Sequence, residues 1–474
     1  MLDNDFNQVD KRNRSFTLAA TGLGFVVVLL DVSVVNVALE RFREAFGADV
    51  SDLQWVVNAY TLTFAALLLT AGALGDRYGT RRVFVAGFAI FTAASLACGV
   101  SMSLAAMLIA RVVQGFGAAM LVPASLSLVH KSFADDPAGR SRAVGIWAGS
   151  GGIALAAGPV VGGLLILHIG WRSIFLMNLP LGLIGIALTM RYAPRIPPST
   201  GRSLDLAGQL AAIVALGTLT TGLIEAGPLG WGNPIVYGSI IACFFSVALF
   251  IRVESQGRDP MLPLDLFRNS TFSTSSVVGV LVNSAFYGFV FVLSLFFQGV
   301  QGYSPVQTGL AFLPMTAVLT VGNIIAGRLM AIRGPRMLMI AGQTLAAIGY
   351  LSMLRVGADS SYVEIAIPML LAGSGIALTV PPMTNASLSV VGPAKAGIAS
   401  AVLNSARQVG GVLGVSLFGF LVRGTTESAF MAGMRTSLVI AAGSLFAGSL
   451  ASNVWIARPA PPSVPAVAVT PPAE

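Results

Sequence analysis

Long apolar runs alternate with short polar connections along this chain. Fourteen of these runs reach the length of about 20 residues that a helix needs to cross a lipid bilayer. They lie at 16–39, 53–74, 82–101, 104–129, 143–168, 171–192, 205–226, 234–253, 272–299, 306–331, 335–356, 361–390, 396–423 and 432–456. Each run is apolar throughout instead of alternating residue by residue, so the pattern predicts transmembrane α-helices and disfavours a β-barrel.

Polar segments divide the runs into groups of six, two and six. A polar cytoplasmic segment at 1–15 precedes an N-terminal six-helix bundle at 16–192. A linker at 193–271 carries two additional helices, and a C-terminal six-helix bundle occupies 272–456. The cytoplasmic tail at 457–474 is rich in Pro, Ala and Val, a composition that predicts disorder.

The hairpin between the second and third runs recurs in the second half of the chain. Residues 71–87 read AGALGDRYGTRRVFVAG, and residues 326–342, 255 positions later, read AGRLMAIRGPRMLMIAG. Seven positions are identical, among them Gly79 with Gly334. One polar design that is repeated half a chain apart indicates two homologous membrane halves.

Composition agrees with a membrane location and adds an orientation. The chain is 55% hydrophobic and 10% charged, whereas soluble proteins carry roughly 25% charged residues. Of the 28 Lys and Arg residues, 20 lie on the side of the N-terminus and 6 on the other side. Basic residues concentrate on the cytoplasmic side, so we expect a multi-pass cell-membrane protein with both termini cytoplasmic. The net charge of +8 then reflects topology and not a nucleic-acid partner.

Asp31 is the one carboxylate placed deep inside an apolar run. A charged side chain there costs about 2.5–3.5 kcal/mol on insertion scales, so it normally faces a cavity or a partner. Asp31 lies about 12 Å below the outer end of the first run, and Arg111 lies about 10 Å along the fourth. Burial favours a protonated acid and a nearby arginine an ionised one, which suits a proton-coupling pair. The alternatives are a fixed ion pair that holds the bundle together and an Arg111 that reaches outward to water.

Small residues form a stripe along the fifth run. They follow one another at steps of 4, 3, 4, 3 and 4, which places them on one helix face and lets helix backbones approach closely. The stripe consists of Gly145, Gly149, Gly152, Ala156, Pro159 and Gly163, with Gly158 and Gly162 beside it. The spacing fits a static tight contact or, with the kink that Pro159 supplies, a surface along which helices move.

Four motifs in order along the chain resemble the major facilitator superfamily, and in particular its fourteen-helix drug:proton antiporters. They are LDVSVVNVAL at 30–39, GALGDRYGTRR at 72–82, RVVQG at 111–115 and the small-residue pattern at 145–163. The resemblance implies an all-α major facilitator fold of two six-helix bundles with two extra central helices. It also implies roles in proton coupling for Asp31 and Arg111.

The resemblance further implies that the loop and the fifth run take part in conformational change. The residues concerned are Gly72, Gly75, Asp76, Arg77, Gly79, Arg81 and Arg82 in the loop, and Gly145, Gly149, Gly158, Pro159, Gly162 and Gly163 in the run. Asp76 lies at the cytoplasmic level where the run at 396–423 begins, and a helix N-terminus attracts a carboxylate. We expect Asp76, with Arg77 and Arg81, to latch the cytoplasmic side while the cavity opens outward. The alternative is a solvated turn.

Three features depart from the family pattern. Ala154 replaces a glycine of the fifth-run motif, and Glu40 stands where many relatives have proline. The second half lacks a deep carboxylate, which puts a divalent cationic substrate in doubt.

These features lead us to expect a proton-coupled transporter that exports lipophilic drugs or antibiotics by alternating access. Its partners are then a small lipophilic substrate, protons and the bilayer. We expect the transport unit to be a monomer that is driven by the proton gradient and needs no cofactor. Candidates for the substrate site are Trp55, Asn58, Gln114, Asn283, Phe286, Tyr287, Asn404 and Arg407. A transporter of one metabolite and a receptor or scaffold without transport are the alternatives.

Other functions lack a supporting pattern. Cys98 and Cys243 fall inside apolar runs and are interpreted as core residues instead of a disulfide or metal site. The sequence has no nucleotide-binding loop and no cluster of metal-ligating or catalytic residues. An ATP-driven pump or an enzyme is therefore not expected.

Overall fold

The computed structural model describes residues 2–195, 205–257, 260–392, 395–424 and 426–457. Within these ranges every regular element is a helix, so the fold is all-α as the apolar pattern predicts. Residues 458–474 of the predicted tail at 457–474 and the linker residues 196–204 lie outside the described residues.

The helices follow one another in two halves with a pair of helices between them. The N-terminal half contains α1 (Leu2–Val37), α2 (Leu39–Phe46), α3 (Val50–Tyr78), α4 (Thr80–Gly99), α5 (Leu104–Ser132), α6 (Pro137–His168), α7 (Ser173–Leu176) and α8 (Asn178–Tyr192). The intervening pair is α9 (Leu206–Leu229) and α10 (Pro234–Gln256). The C-terminal half contains α11 (Ser270–Leu295), α12 (Pro305–Ser352), α13 (Tyr362–Ser389), α14 (Ala396–Leu421) and α15 (Glu427–Trp455).

Thirteen stretches of the described helices are long and apolar enough to cross a membrane. Two of them, Pro305–Met330 and Ile332–Arg355, lie in α12 on either side of Gly334, whose backbone leaves helical geometry. Helix α14 spans 26 residues but falls outside this group because its polar residues, Asn404 and Arg407 among them, lower its mean hydropathy. The chain is thus a multi-pass membrane protein.

Several helix boundaries differ from the prediction. Helix α1 begins at Leu2 instead of residue 16, because the polar segment contains no proline or glycine to end a helix. The connection after the first run contains α2, whose Phe42 is buried and which ends at Gly47 in the left-handed conformation. The sixth run is divided into α7 and α8 at Met177.

Glycines with positive φ angles show that the repeat extends to the backbone. Gly79 and Gly334, each between two consecutive helical segments, have φ angles of 93° and 73°. Gly47 and Gly302 have φ angles of 64° and 68°, and both pairs are separated by 255 positions. Residues with a side chain rarely adopt such angles, so the two halves require glycine at equivalent turns.

Capping boxes mark the same repeat. The side chains of Asp49 and Asp52 accept from each other's backbone N–H groups at the start of α3. Ser304 and Gln307 do the same at the start of α12, again 255 positions later. Because a capping box fixes where a helix begins, α3 and α12 start at equivalent points in the two halves.

The halves meet along two helix pairs, α3 with α14 and α6 with α12. Helix α9 packs against both α3 and α14, and α10 packs mainly against α9. Only 11% of the most apolar part of α10 is buried, so this helix lies at the periphery. Below, the face of the bundle that carries Asp76 is called the Asp76 end, and the opposite face, which carries α2, is called the Phe42 end.

Candidate functional site

Asp31 and Arg111 form an ion pair inside the N-terminal half. Helix α1 carries Asp31 and α5 carries Arg111, and the Nη1 atom of Arg111 lies 2.5 Å from Oδ2 of Asp31. Asp31 is 0% exposed and Arg111 is 1% exposed. A buried charge persists only with an opposite charge and hydrogen bonds around it, so the two residues depend on each other.

Two amide side chains complete the surroundings of the carboxylate. Oδ1 of Asp31 accepts hydrogen bonds from Nε2 of Gln114 at 2.8 Å and from Nδ2 of Asn178 at 3.4 Å. The same two nitrogen atoms lie 2.9 and 3.3 Å from Oγ of Ser95. The network therefore joins α1, α4, α5 and α8 around one buried acid.

The guanidinium of Arg111 is held on several sides. Its Nε atom donates to the carbonyl of Val56 at 3.1 Å, and Nη1 donates to Oε1 of Gln114 at 2.7 Å. Its central carbon lies 4.4 Å from the centre of the Tyr60 ring, within range of a cation–π interaction. Arg111 therefore points into the bundle and does not reach outward to water.

Hydrogen bonds between α3 and α14 seal the Phe42 end. Nε2 of Gln54 donates to the carbonyls of Val415 and Ser416 at 2.8 and 2.7 Å. One helical turn further into the bundle, Nδ2 of Asn58 donates to Oγ of Ser416 at 3.0 Å. These bonds join residues of the two halves, so this end must break them if it is to open.

The small-residue stripe of α6 faces α12 and reinforces the seal. A Cβ atom on Gly163 would lie 2.6 Å from the carbonyl oxygen of Pro305, and one on Gly309 would lie 2.2 Å from that of Pro159. Both distances are too short for a real carbon–oxygen contact. Only glycine at these two positions allows the backbones of α6 and α12 to come this close.

The two glycines beside the stripe lie against α1 instead. A Cβ atom on Gly158 would overlap the side chain of Ser33, and one on Gly162 would lie 3.1 Å from Cβ of Val34. Helix α6 is thus packed between α1, which carries Asp31, and α12 of the other half. This position lets a change around Asp31 reach the contact between the halves.

At the Asp76 end the same helices separate. Among the described residues, no atom lies within 4 Å of a Cβ built on Gly145 or Gly149 of α6. The same is true of Gly72 in α3 and Gly327 in α12. The helix pairs that touch at the Phe42 end therefore diverge towards the Asp76 end.

A cavity of about 570 Å³ occupies the space between them. Helices α3 and α5 line it from one half and α14 from the other, with Gly75, Asp76 and Gly397 in its wall. Asp76 forms no ion pair with any of the described residues. The guanidinium of its neighbour Arg77 lies over the ring of Tyr78. The expected latch between Asp76 and the start of α14 therefore stays a prediction for the conformation in which the Asp76 end is closed.

The remaining charged residues of the loop differ in their contacts. Arg81 donates to the backbone carbonyl of Met190 near the end of α8. Its counterpart in the repeat, Arg336, donates to the carbonyl of Asn453 near the end of α15. Each arginine ties a hairpin to the last helix of its own half, whereas Arg82 is exposed.

Several predicted substrate-binding residues are engaged between or within helices. Trp55 donates through Nε1 to Oε1 of Glu225 at 2.8 Å, which joins α3 to α9. Asn58 makes one of the hydrogen bonds that seal the Phe42 end. Nδ2 of Asn283 donates to the carbonyl of Gly279 in its own helix. Together with Gln114 in the Asp31 network, these residues lie away from the cavity at the Asp76 end.

The other candidates border interior space. Phe286 and Tyr287 line a hollow of about 20 Å³ among α1, α6, α11 and α12, which is enough for a single water molecule. Asn404 is exposed and Arg407 is partly exposed on α14. The structure therefore divides the predicted substrate site into two groups with different surroundings.

Sequence reasoning does not find Asn178, Ser95 or Gln54. Asn178 and Gln54 carry amides inside the predicted apolar runs at 171–192 and 53–74. Such groups generally hydrogen-bond across helices, so their residue type is a usable signal. Ser95 offers no comparable signal because serine is common in membrane helices.

A sequence profile of the Major Facilitator Superfamily matches residues 21–415. The methylenomycin A resistance protein of Streptomyces coelicolor is 37% identical over 445 residues, which cover 93% of this chain and 92% of that protein. The multidrug resistance protein Stp of Mycobacterium tuberculosis is 36% identical over 408 residues, which cover 86% of this chain and 76% of that protein.

A solved structure is similar in fold. It is that of a bacterial homologue of the human lysosomal transporter Spinster in an inward-facing and unoccupied conformation, with a TM-score of 0.68. The sequences are 18% identical, and the match covers 94% of this chain and 99% of that chain.

Proposed function

Because the chain belongs to the Major Facilitator Superfamily of membrane transporters, we propose that it exports lipophilic drugs or antibiotics in exchange for protons. Two relatives that match most of its length are named for resistance to methylenomycin A and to multiple drugs. A transporter confers resistance by removing a drug from the cell. The observation that supports proton coupling is the fully buried pair of Asp31 and Arg111.

The proposed topology has fourteen spans, arranged as two six-helix bundles with α9 and α10 as the two extra helices. The excess of basic residues on the side of the N-terminus supports cytoplasmic termini. The Asp76 end then faces the cytoplasm, and this conformation is open inward. The transport unit is a monomer that uses the proton gradient and no cofactor.

Asp31 is the group to which we assign proton exchange. While ionised, its carboxylate accepts hydrogen bonds from Arg111, Gln114 and Asn178. Protonation removes the negative charge and leaves Arg111 without its counter-ion. The ion pair between α1 and α5 is then lost, and the buried charge of Arg111 destabilises this contact. A proton can bias the conformational equilibrium because the two conformations bind it with different affinity.

The proposed cycle couples this site to the contacts between the halves. Outward-facing protein takes up a proton at Asp31 and releases substrate, and inward-facing protein releases the proton and binds substrate. One elementary charge that crosses 100 mV contributes about 2.3 kcal/mol. At one-to-one coupling this energy supports an accumulation of roughly 50-fold.

Opening towards the outside requires the Phe42 end to separate. The hydrogen bonds from Gln54 to α14 must break, and Gly163 must move away from Pro305. Helix α6 can transmit the change because it contacts both α1 and α12. In the same movement the cavity at the Asp76 end closes, which brings Asp76 towards the start of α14.

Dye transport into inverted membrane vesicles tests the proposal. With a proton gradient, vesicles that contain the wild-type protein should accumulate a lipophilic dye. Asp31→Asn should abolish this accumulation while exchange of dye at equal concentrations continues, because only coupling to the proton is lost. Gradient-driven accumulation by the Asp31→Asn protein would contradict the role of Asp31.

Asp265→Asn is the matched control. Asp265 pairs with Lys395 at the protein surface, and its side chain is 51% exposed. The hydrogen bond from Lys395 lowers the pKa of Asp265, so this variant also removes one ionised carboxylate. An exposed ion pair contributes about 0–1 kcal/mol, and we expect transport by this variant to be unchanged.

A further inference from the structure

Arg407 lies at the middle of α14, between the cavity and the seal. Ala401 lies six residues before Arg407 and lines the cavity at the Asp76 end. Val415 lies eight residues after Arg407 and accepts one of the hydrogen bonds that seal the Phe42 end. The rise of a helix places Arg407 about 9 Å beyond the first and about 12 Å before the second.

The surroundings of Arg407 hold its stem but leave its charge without a counter-ion. Its Cγ atom lies 3.2 Å from the position of a Cβ on Gly279, so the glycine of α11 leaves room for the stem. Nη1 lies 3.5 Å from Oδ1 of Asn404, which makes this a weak hydrogen bond. The buried Nε atom has no partner, and the described residues give Arg407 no ion pair.

Arg407 and Arg111 differ in how their charges are compensated. Both arginines lie in the interior of membrane-length helices, yet Arg111 is compensated by Asp31 and Arg407 by no acid of the described residues. An ionisable side chain inside a membrane protein normally pairs or faces a water-filled path. Arg407 is partly exposed, and the contact of its Nη1 atom with Asn404 is exposed.

An aromatic surface adjoins this charge. A Cβ atom on Gly411, one turn beyond Arg407, would lie 3.1 Å from the ring of Tyr287, and Phe286 packs edge-on against Tyr287. Asn404 is exposed on α14 and lies about one turn beyond Ala401, which lines the cavity. Charge, amide and aromatic rings thus lie together at mid-depth.

We propose that Arg407 binds an acidic group of the transported molecule, so that the protein exports lipophilic anions in preference to neutral or cationic compounds. This inference rests on the export function proposed above. A guanidinium group can donate two parallel hydrogen bonds to the oxygen atoms of a carboxylate, sulfonate or phosphate group. Asn404 provides a further polar contact, and the rings of Phe286 and Tyr287 accommodate the apolar body of the molecule.

Three dyes in inverted vesicles test the charge preference. Anilinonaphthalene sulfonate is an anion, phenylnaphthylamine is the same aromatic system without the sulfonate, and ethidium is a cation. The wild-type protein should transport the sulfonate dye with the lowest apparent KM. Arg407→Gln should raise that KM by about tenfold or more, the loss expected for a hydrogen bond to a charged group, and change that of phenylnaphthylamine by less than about twofold.

Two further variants separate binding from structure. Arg407→Lys keeps the charge but not the forked geometry, so its KM for the sulfonate dye should lie between those of the wild-type and Arg407→Gln proteins. Arg423→Gln is the matched control, because Arg423 lies two residues beyond the end of the same helix and donates to the carbonyl of Ala226. It should leave the order of preference among the dyes unchanged.

The outcomes distinguish this inference from the function on which it rests. An equal loss for all three dyes in Arg407→Gln would make Arg407 a structural residue and overturn the inference. A wild-type protein that transports ethidium or phenylnaphthylamine in preference to the sulfonate dye would also overturn it and leave export standing. Should Arg407→Gln fail to insert, the wild-type preference and the Arg407→Lys protein decide the question. Transport of none of the dyes would overturn both proposals.

Discussion

The indole of Trp55 donates a 2.8 Å hydrogen bond to Oε1 of Glu225 and ties α3 to α9. Nearby, Arg423, two residues beyond the end of α14, donates to the carbonyl of Ala226 at 3.1 Å. Helix α9 is therefore attached to both halves at the Phe42 end, where the halves themselves are joined. Trp55, which sequence reasoning places in the substrate site, has a structural partner in this conformation.

Trp55→Phe should destabilise the protein without changing substrate affinity. The variant keeps the aromatic packing and removes one hydrogen bond to a partly buried carboxylate. We expect a loss of about 1 kcal/mol in the free energy of unfolding. Glu225→Leu should cost a similar amount, and the double variant should cost less than the sum because both remove one interaction.

Denaturant unfolding of the purified protein and dye transport in vesicles together check this prediction. Trp455→Phe is the matched control, since the Trp455 side chain is exposed at 54%. A higher apparent KM for Trp55→Phe with unchanged stability would instead place Trp55 in contact with the substrate.

The sequence predicts much of this fold because membrane helices follow simple rules of length and polarity. Every predicted apolar run falls on a described helix, on part of one or, for the run at 171–192, on the two helices α7 and α8. The boundaries are less predictable, since helix geometry continues through polar residues such as the segment after Leu2. The turn at Gly79 and its repeat at Gly334 follow from residue type, because their positive φ angles favour glycine.

The site is predictable only in part. Helix rise places Asp31 and Arg111 at one depth, and the structure brings them into contact. Helix rise cannot give the neighbours of that pair, because Asn178 and Ser95 reach the pair through the packing of α8 and α4. Periodicity likewise places the small residues of α6 on one face but does not say which end of that face is in contact with α12.

Gly163→Ala and Gly149→Ala should differ sharply in stability. Each substitution adds one methyl group to the same face of α6 and gains the same intrinsic helix propensity. The methyl group on Gly163 would lie 2.6 Å from the carbonyl oxygen of Pro305, whereas that on Gly149 meets no described atom within 4 Å. We expect Gly163→Ala to lower the free energy of unfolding by about 1–3 kcal/mol relative to Gly149→Ala.

Unfolding of both variants in the same detergent measures this difference. Because the two share a helix and a residue type, propensity cancels in the comparison. Equal stabilities would mean that α6 and α12 are not in close contact in the dominant conformation.

Asp76→Asn should impair transport while leaving stability unchanged. Asp76 has no ion pair among the described residues, so the present conformation loses little, within about 0.5 kcal/mol. With the Asp76 end closed, the protein would lose the interaction between the carboxylate and the start of α14. The equilibrium should therefore shift towards the conformation with the open Asp76 end.

Vesicle transport and thiol labelling measure the effect. In a protein without Cys98 and Cys243, a cysteine introduced by Gly149→Cys should react faster with a water-soluble reagent when Asp76→Asn is present. Normal transport by the Asp76→Asn protein would exclude the latch.

Asn178→Leu should lower proton-driven transport. The amide of Asn178 donates to the carboxylate of Asp31, and this carboxylate accepts from only two other side chains among the described residues, Arg111 and Gln114. Removal of a donor leaves a buried acceptor less well satisfied, which costs about 1–3 kcal/mol. Ser95→Ala should lower transport less, because Ser95 accepts from the amides of Gln114 and Asn178 but does not touch the acid.

Gradient-driven accumulation of dye and exchange of dye at equal concentrations, measured side by side in vesicles, check this prediction. A change in packing alone would lower both rates equally, since exchange at equal concentrations does not need the proton. A larger loss of accumulation than of exchange in Asn178→Leu, a smaller difference in Ser95→Ala and none in Asp265→Asn would together support the coupling role proposed for Asp31. An equal loss of both rates in Asn178→Leu would assign Asn178 to packing between α8 and α1.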